Sequence, residues 1–259
     1  MRKFVLSVLA LLPAAAFASS VFDGTWSARI DSLKVAGKPD VYVLVNGTYS
    51  CPSCDPPLAN VPADGAWHKV TGHAYYDEIM VRVVDPKSVE FSRRLGGKLS
   101  SVETVQVSAD GNSFTGKFTS YQGATPSTGE YTEKRIAAGA AGAHALSGSW
   151  LQDQLTAAND AVRKVAYAMT ADQFSMEANG QSYAAKFDGK QYPVNGDPGQ
   201  TKVTLKKIDE RTVQETDYRQ GKIVDEVRLT VAQDGKTILA TDKDVAHGQT
   251  STIILDKQP

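Results

Sequence analysis

Shifting the chain by 124 residues lays it onto itself, with Gly24-Thr25-Trp26 falling on Gly148-Ser149-Trp150. In the same register and without a gap, Asp64-Gly65 falls on Asp188-Gly189, Asp85 on Asp209, and Val89 on Val213. Gly97-Lys98 then falls on Gly221-Lys222, Val107 on Val231, and Asp110-Gly111 on Asp234-Gly235. A repeat of this period constrains the fold more than composition does. The 259 residues, enough for one large core, divide instead into two domains of ordinary size. The stretch 138–145 is made mostly of Ala and Gly and reads as a linker. Domain one is therefore expected at 19–137 and domain two at 146–259.

Inside each copy the hydrophobic period is two. Val41, Val43 and Val45 alternate with Tyr42, Leu44 and Asn46; Ile223, Val227, Leu229 and Val231 share one face, and Glu226, Arg228 and Thr230 the other. Such alternation marks half-buried antiparallel strands. Asp110-Gly111 and Asp234-Gly235 supply the positive φ of tight hairpins, so neighbours in sequence are expected to pair. Helix is confined to a turn or two near Thr156–Val162. The first copy yields about eight strands, near 24–31, 41–50, 67–71, 75–84, 88–95, 99–107, 113–121 and 129–136. An eight-strand meander removes its exposed edges by closing into an up-and-down barrel. The expected fold is all-β, two tandem barrels, with two β-sandwiches as the alternative.

The N-terminus carries an address. Met1-Arg2-Lys3 is basic, Phe4 to Leu12 is apolar apart from Ser7, and Ala16-Phe17-Ala18 fits a small-x-small cleavage site. Residues 1–18 therefore read as a secretory signal peptide, too short in its apolar part to span a bilayer. No later segment reads as a transmembrane helix, so the expectation is an exported protein, periplasmic or extracellular, of a bacterium. The 28 basic and 29 acidic residues leave a net charge of −1, which gives no basic field for nucleic acid.

Phe22-Asp23-Gly24-Thr25-Trp26, opening the first strand of a meander, resembles the Gly-x-Trp start of the lipocalin and fatty-acid-binding (calycin) barrels. The chain also resembles uncharacterised exported bacterial proteins built from two such halves. In the calycin barrels a basic residue near the end of the last strand packs over the Trp. The resemblance implies that role for Arg135 and Lys257, with Trp26 and Trp150 as barrel-closing residues. An indole face can accept such a cation. The chain departs from the lipocalins in having two barrels and in lacking their other signature motifs.

Local chemistry is concentrated in the first copy. Cys51-Pro52-Ser53-Cys54 holds the only two cysteines; in an exported chain they are expected to form a disulfide. Cys51, Cys54, His68 and His73 also meet a two-Cys, two-His zinc spacing, the lesser alternative, because the intervening Pro-rich stretch supplies no helix for the His pair. A redox-active pair is the other alternative, opposed by Asp55-Pro56-Pro57 where a helix N-terminus would be needed. Gly111 to Lys117 has phosphate-loop spacing but is followed by Phe118 and lies in a hairpin, so it is rejected. Asn46-Gly47-Thr48 matches a glycosylation acceptor. Tyr75-Tyr76-Asp77-Glu78 beside His73 reads as a solvated strand end, and Asp209-Glu210 and Asp225-Glu226 as turn and strand-surface charges.

No catalytic constellation and no cofactor motif emerges, and a protein partner cannot be named from the residues. The leading expectation is a non-enzymatic exported protein of two lipocalin-like barrels, at least one able to hold a small apolar ligand. The alternatives are a structural or protein-interaction module of the cell envelope with filled barrels, and a thiol-dependent or small-pocket enzyme. An open apolar interior favours the first and a packed interior the second.

Overall fold

The computed structural model describes residues 20–259, and the expected signal peptide lies outside the described residues. The alternating segments of the first repeat become β1 (Gly24–Gly37), β2 (Asp40–Val45), β3 (Thr48–Cys51), β4 (Leu58–Pro62) and β5 (Asp64–Lys69). They continue with β6 (Glu78–Asp85), β7 (Ser88–Leu95), β8 (Lys98–Val107), β9 (Ser113–Ser120) and β10 (Ser127–Ala138). The second repeat gives β11 (Gly148–Ala158), α1 (Asp160–Arg163), β12 (Lys164–Met169), β13 (Gln173–Ala178) and β14 (Gln181–Lys186). It ends with β15 (Tyr192–Pro193), β16 (Lys202–Asp209), β17 (Thr212–Arg219), β18 (Lys222–Val231), β19 (Thr237–Asp244) and β20 (Gln249–Lys257).

The chain is all-β, as expected, in two antiparallel sheets of ten strands, each curled into a nearly closed barrel. Ten strands replace the expected eight in each sheet for a local reason. The segment 41–50 breaks at Asn46-Gly47, where both residues take positive φ (50° and 72°) and turn β2 back onto β3. That is the backbone a two-residue hairpin requires. The short β4, pairing with β3, is the other addition. Near 156–162 the helix is shorter than expected, because β11 runs on to Ala158 before the single turn of α1.

The first strand of each repeat sits in the sheet formed by the other repeat. Barrel I has the order β4-β3-β2-β11-β10-β9-β8-β7-β6-β5, and barrel II the order β14-β13-β12-β1-β20-β19-β18-β17-β16-β15. Pairing therefore divides the chain into 40–158 and 24–37 plus 164–257, where the repeat pattern points to 19–137 and 146–259. The two exchanges are equivalent. Trp26 is in register with Lys257 and Val165, and Trp150 with Arg135 and Asp40. Lys38-Pro39 accounts for the first crossing. Proline fixes its own φ near −65° and biases the preceding residue to extended backbone, so a primed two-residue turn is unavailable. β1 runs on along β20 to Gly37, past a bulge between Arg29 and Lys34, with β11 lying against it.

Each barrel has its own core. Barrel I buries Leu44, Tyr49, Ile79, Val81, Val89, Phe91, Val105, Val107, Phe114, Leu146 and Trp150. Barrel II buries Phe22, Trp26, Phe174, Tyr183, Val203, Leu205, Val213, Leu229, Val231, Ile238 and Leu255. The expected linker at 138–145 is tied to barrel I. Its His144 N–H donates to Leu44 O, its imidazole bonds Asp85 O, and Ala145 packs on the core. Between the barrels, the Asn179 side chain bonds Thr125 and Ser127, and Gln249 bonds Lys38 O and the Asp40 carboxylate.

Candidate functional site

One end of each barrel is plugged by the Gly-x-Trp element. Trp26 and Trp150 are both fully buried, and each indole N–H donates over 2.8 Å to the carbonyl four residues earlier, Phe22 O and Leu146 O. Phe174 stands edge-on to Phe22, and Phe114 to Trp150. Above the rings sit Lys257, with Nζ 5.2 Å from the Trp26 centroid, and Arg135, with Cζ 3.9 Å from that of Trp150. The cation of one repeat thus covers the Trp of the other, because the strands have changed barrels. Arg135 also donates to Gly111 O, Ser147 O and Ala145 O, so it closes loops as well as stacking.

Further along the interior the barrels diverge. In barrel I, Arg93 lies 3.3 Å from Glu103, and Tyr131 Oη donates to the same carboxylate. Burial works to lower Arg93, but Glu103, Tyr76 and Tyr49 outweigh it and hold the cation firmly. Glu133, 5% exposed, has an Oε2 without a hydrogen-bond partner. Burial, then Asp40 and Glu103, push it up to about 8, so it is a neutral acid at pH 7.

Barrel II places carboxylates where period two continues the buried face of Val213: Glu215 and Asp217 on β17, with Asp225 on β18 and Asp242 and Asp244 on β19. Tyr183 Oη donates to Glu215, and Asp217, two residues along the same strand, has a buried Oδ1 without a hydrogen-bond partner. Burial and the neighbouring Glu215 push Asp217 up to about 9, and burial with Asp225 and Asp244 pushes Asp242 up to about 6. Arg219 lies 3.6 Å from Asp225 at the mouth, where it also faces the Tyr75 ring of barrel I at 5.1 Å. A cleft of about 820 Å³ opens beside this mouth and is lined from both barrels, by Asp55 and His73 on one side and Lys202, Tyr218 and Lys222 on the other.

The two cysteines sit together, sulfurs 2.06 Å apart. His68 bonds Asp64 at 2.8 Å, and His73 stacks on Tyr76 with centroids 4.4 Å apart. No group of three His, Cys, Asp or Glu side chains among the described residues is placed to share a metal ion. The remaining candidates are absorbed locally: Asp77 accepts from Gly96 N–H, Asp209 from Arg211 N–H, and Glu210 pairs with Lys207. Asp225, expected on the strand surface, instead faces the barrel II interior with Arg219, while Glu226 pairs outside with Lys243. Sequence reading passed over Glu133, Glu215, Asp217 and Asp242. The available signal was parity, since Glu215 and Asp217 continue the face of Val213 and Asp242 that of Ile238.

Barrel I differs from barrel II in its closure. Barrel II is stitched between β14 and the stretch after β15 by two backbone bonds, Ser182 N–H to Asn195 O and Asn195 N–H to Ser182 O. In barrel I the corresponding strands, β4 and β5, end the sheet on its two sides with no pairing between them. A groove of about 350 Å³ occupies this seam, and Cys51, His68 and His73 adjoin it. No known protein family, curated protein or solved structure matches the chain.

Proposed function

We propose that the protein is an exported, non-enzymatic envelope module of two filled barrels, one that acts through its outer surfaces. The observation that carries this reading is the occupancy of the barrel interiors. Each is plugged at one end by a buried Trp with its aromatic neighbours and crossed further along by a Tyr–Glu hydrogen bond. Charged groups inside, Arg93 with Glu103 and the carboxylates around Glu215, oppose a small apolar ligand, because such a guest leaves them desolvated without new partners. The cleft of about 820 Å³ lies outside both barrels. The adjoining cysteines and the leader-like N-terminus support export.

Native mass spectrometry of protein purified from its own host tests the reading. The expected mass is that of the chain from Ser19 with one disulfide and nothing retained. A stoichiometric apolar molecule that survives purification and is released by unfolding overturns it.

A further inference from the structure

We propose that the cleft between the barrels, at the mouth of barrel II, binds an acidic saccharide, with its acid group at Lys202 and Lys222 and its hydroxyls at Gln200 and Gln220. The inference deepens the module reading and rests on it, by naming the chemistry that one outer surface recognises.

The 124-residue repeat shows what is particular to this cleft. Lys202, Arg219, Gln220 and Lys222 stand at the equivalents of Glu78, Leu95, Gly96 and Lys98. The same strand ends thus carry no net charge in barrel I and three positive charges in barrel II. Lys222 stands directly across its hairpin from Arg219, and Lys202 across from Tyr218 and Pro193. Like charges facing each other on neighbouring strands repel, and neither lysine has an ion-pair partner among the described residues. The acids close by are already engaged. Asp225 pairs with Arg219, Asp244 with His247, and Asp197 accepts from the Gly199 and Thr201 N–H groups. Among the described residues Asp55 is the one carboxylate that lines the cleft, so the lining keeps a net positive charge.

Two glutamines supply the second element. Gln200 and Gln220 both line the cleft, and both take left-handed backbone, at φ 55° and 50°. Every other described residue with positive φ is Gly or Asn, the types that tolerate it best. Gly96 fills the Gln220 position in the matching hairpin of barrel I, so the turn itself needs no side chain there. Backbone strain of this kind gathers where a side chain has a use. A primary amide offers two donors and an acceptor, which matches the neighbouring hydroxyls of a sugar. The walls are fixed before a ligand arrives. Arg219 faces the Tyr75 ring of barrel I, and Gly199 packs so closely on that ring that a Cβ would lie 2.8 Å from it. The volume of about 820 Å³ suits a small-molecule site, and such sites favour domain junctions.

The probes are trigalacturonate, trimannuronate and a maltotriose monophosphate, each titrated into the isotopically labelled chain from Ser19 at about 0.15 M salt. Backbone amide NMR shifts follow binding. At least one probe is expected to shift amides within 199–202 and 219–223. Its uncharged counterpart, the methyl ester or plain maltotriose, is expected to bind roughly tenfold or more weakly. Lys202→Ala combined with Lys222→Ala is expected to weaken the probe roughly fivefold or more at unchanged melting temperature. Gln220→Gly is expected to weaken it at a melting temperature no lower than that of the parent, because Gly takes the left-handed turn without strain. Failure of all three probes to shift the cleft amides overturns the proposal, as do shifts confined to other parts of the chain. Equal binding by triglutamate overturns the saccharide assignment, and equal binding by the uncharged counterpart or the double Lys variant overturns the acidic one. Unchanged binding by Gln220→Gly overturns the role given to that amide. A retained apolar molecule in the native mass spectrum overturns the filled-module reading and leaves the shifts at the cleft, outside both barrels, unaffected, so the two failures are distinguishable.

Discussion

Lys257 Nζ lies 5.2 Å from the centre of the Trp26 ring, so the last strand of the chain covers the first. Arg135 and Trp150 repeat the arrangement in barrel I at 3.9 Å. The two are unequal in strength. Arg135 adds three hydrogen bonds to loop carbonyls, whereas Lys257 is exposed. Arg135→Ala is expected to destabilise barrel I by about 2–4 kcal/mol, through the lost charged hydrogen bonds and the cation–π contact. Lys257→Ala is expected to cost about 1 kcal/mol or less. Urea unfolding followed by Trp fluorescence checks the order, and equal effects contradict it.

Stability is expected to fall as pH rises from acid to alkaline. Glu133, Asp217 and Asp242 have folded-state values raised to about 8, 9 and 6, each first by burial. In the unfolded chain they ionise near the ordinary ~4. Below that pH both states hold the protons and no stability is lost. Above it the unfolded state sheds them first, so stability declines through pH 6, 8 and 9 and then levels. The groups facing Asp217 are Glu215 on its own strand, Asp225 and Asp242 across the sheet, Tyr183, and the cation Arg219. A melting temperature lower at pH 9 than at pH 5 by roughly 5 °C or more is expected. Asp217→Asn should shrink that difference, and an unchanged pH dependence in this variant contradicts the assignment.

The disulfide closes a loop of four residues, from Cys51 to Cys54. A loop so short removes little unfolded-chain entropy, about 2 kcal/mol on the chain-entropy estimate. Replacing both cysteines by Ser is expected to lower the barrel I transition by that order and leave barrel II in place. Scanning calorimetry of the two proteins separates this from a collapse of the whole chain.

The register of the repeat, the strand alternation and the paired Trp residues were open to inspection in the sequence, because each depends on local spacing. The exchange of first strands was not. β1 and β11 carry the same Gly-x-Trp pattern, so either satisfies the edge of either barrel, and hydrophobic parity cannot choose between them. The local clue was Lys38-Pro39, which forbids the turn that would fold β1 onto β2. Asn46-Gly47 was likewise visible, but its hairpin was hidden inside what reads as one long strand. The interior carboxylates were missed because Glu and Asp in a strand read as surface, and only tertiary closure turns that face inward.

Strand exchange makes 40–158 a continuous barrel, while barrel II waits for β1 from the far end of the chain. Thermal unfolding of two fragments, 38–158 and 20–137, followed by near-UV circular dichroism, tests this most directly. The account predicts a cooperative transition for 38–158 and none for 20–137. A cooperative transition for 20–137, with 38–158 unfolded, would contradict it.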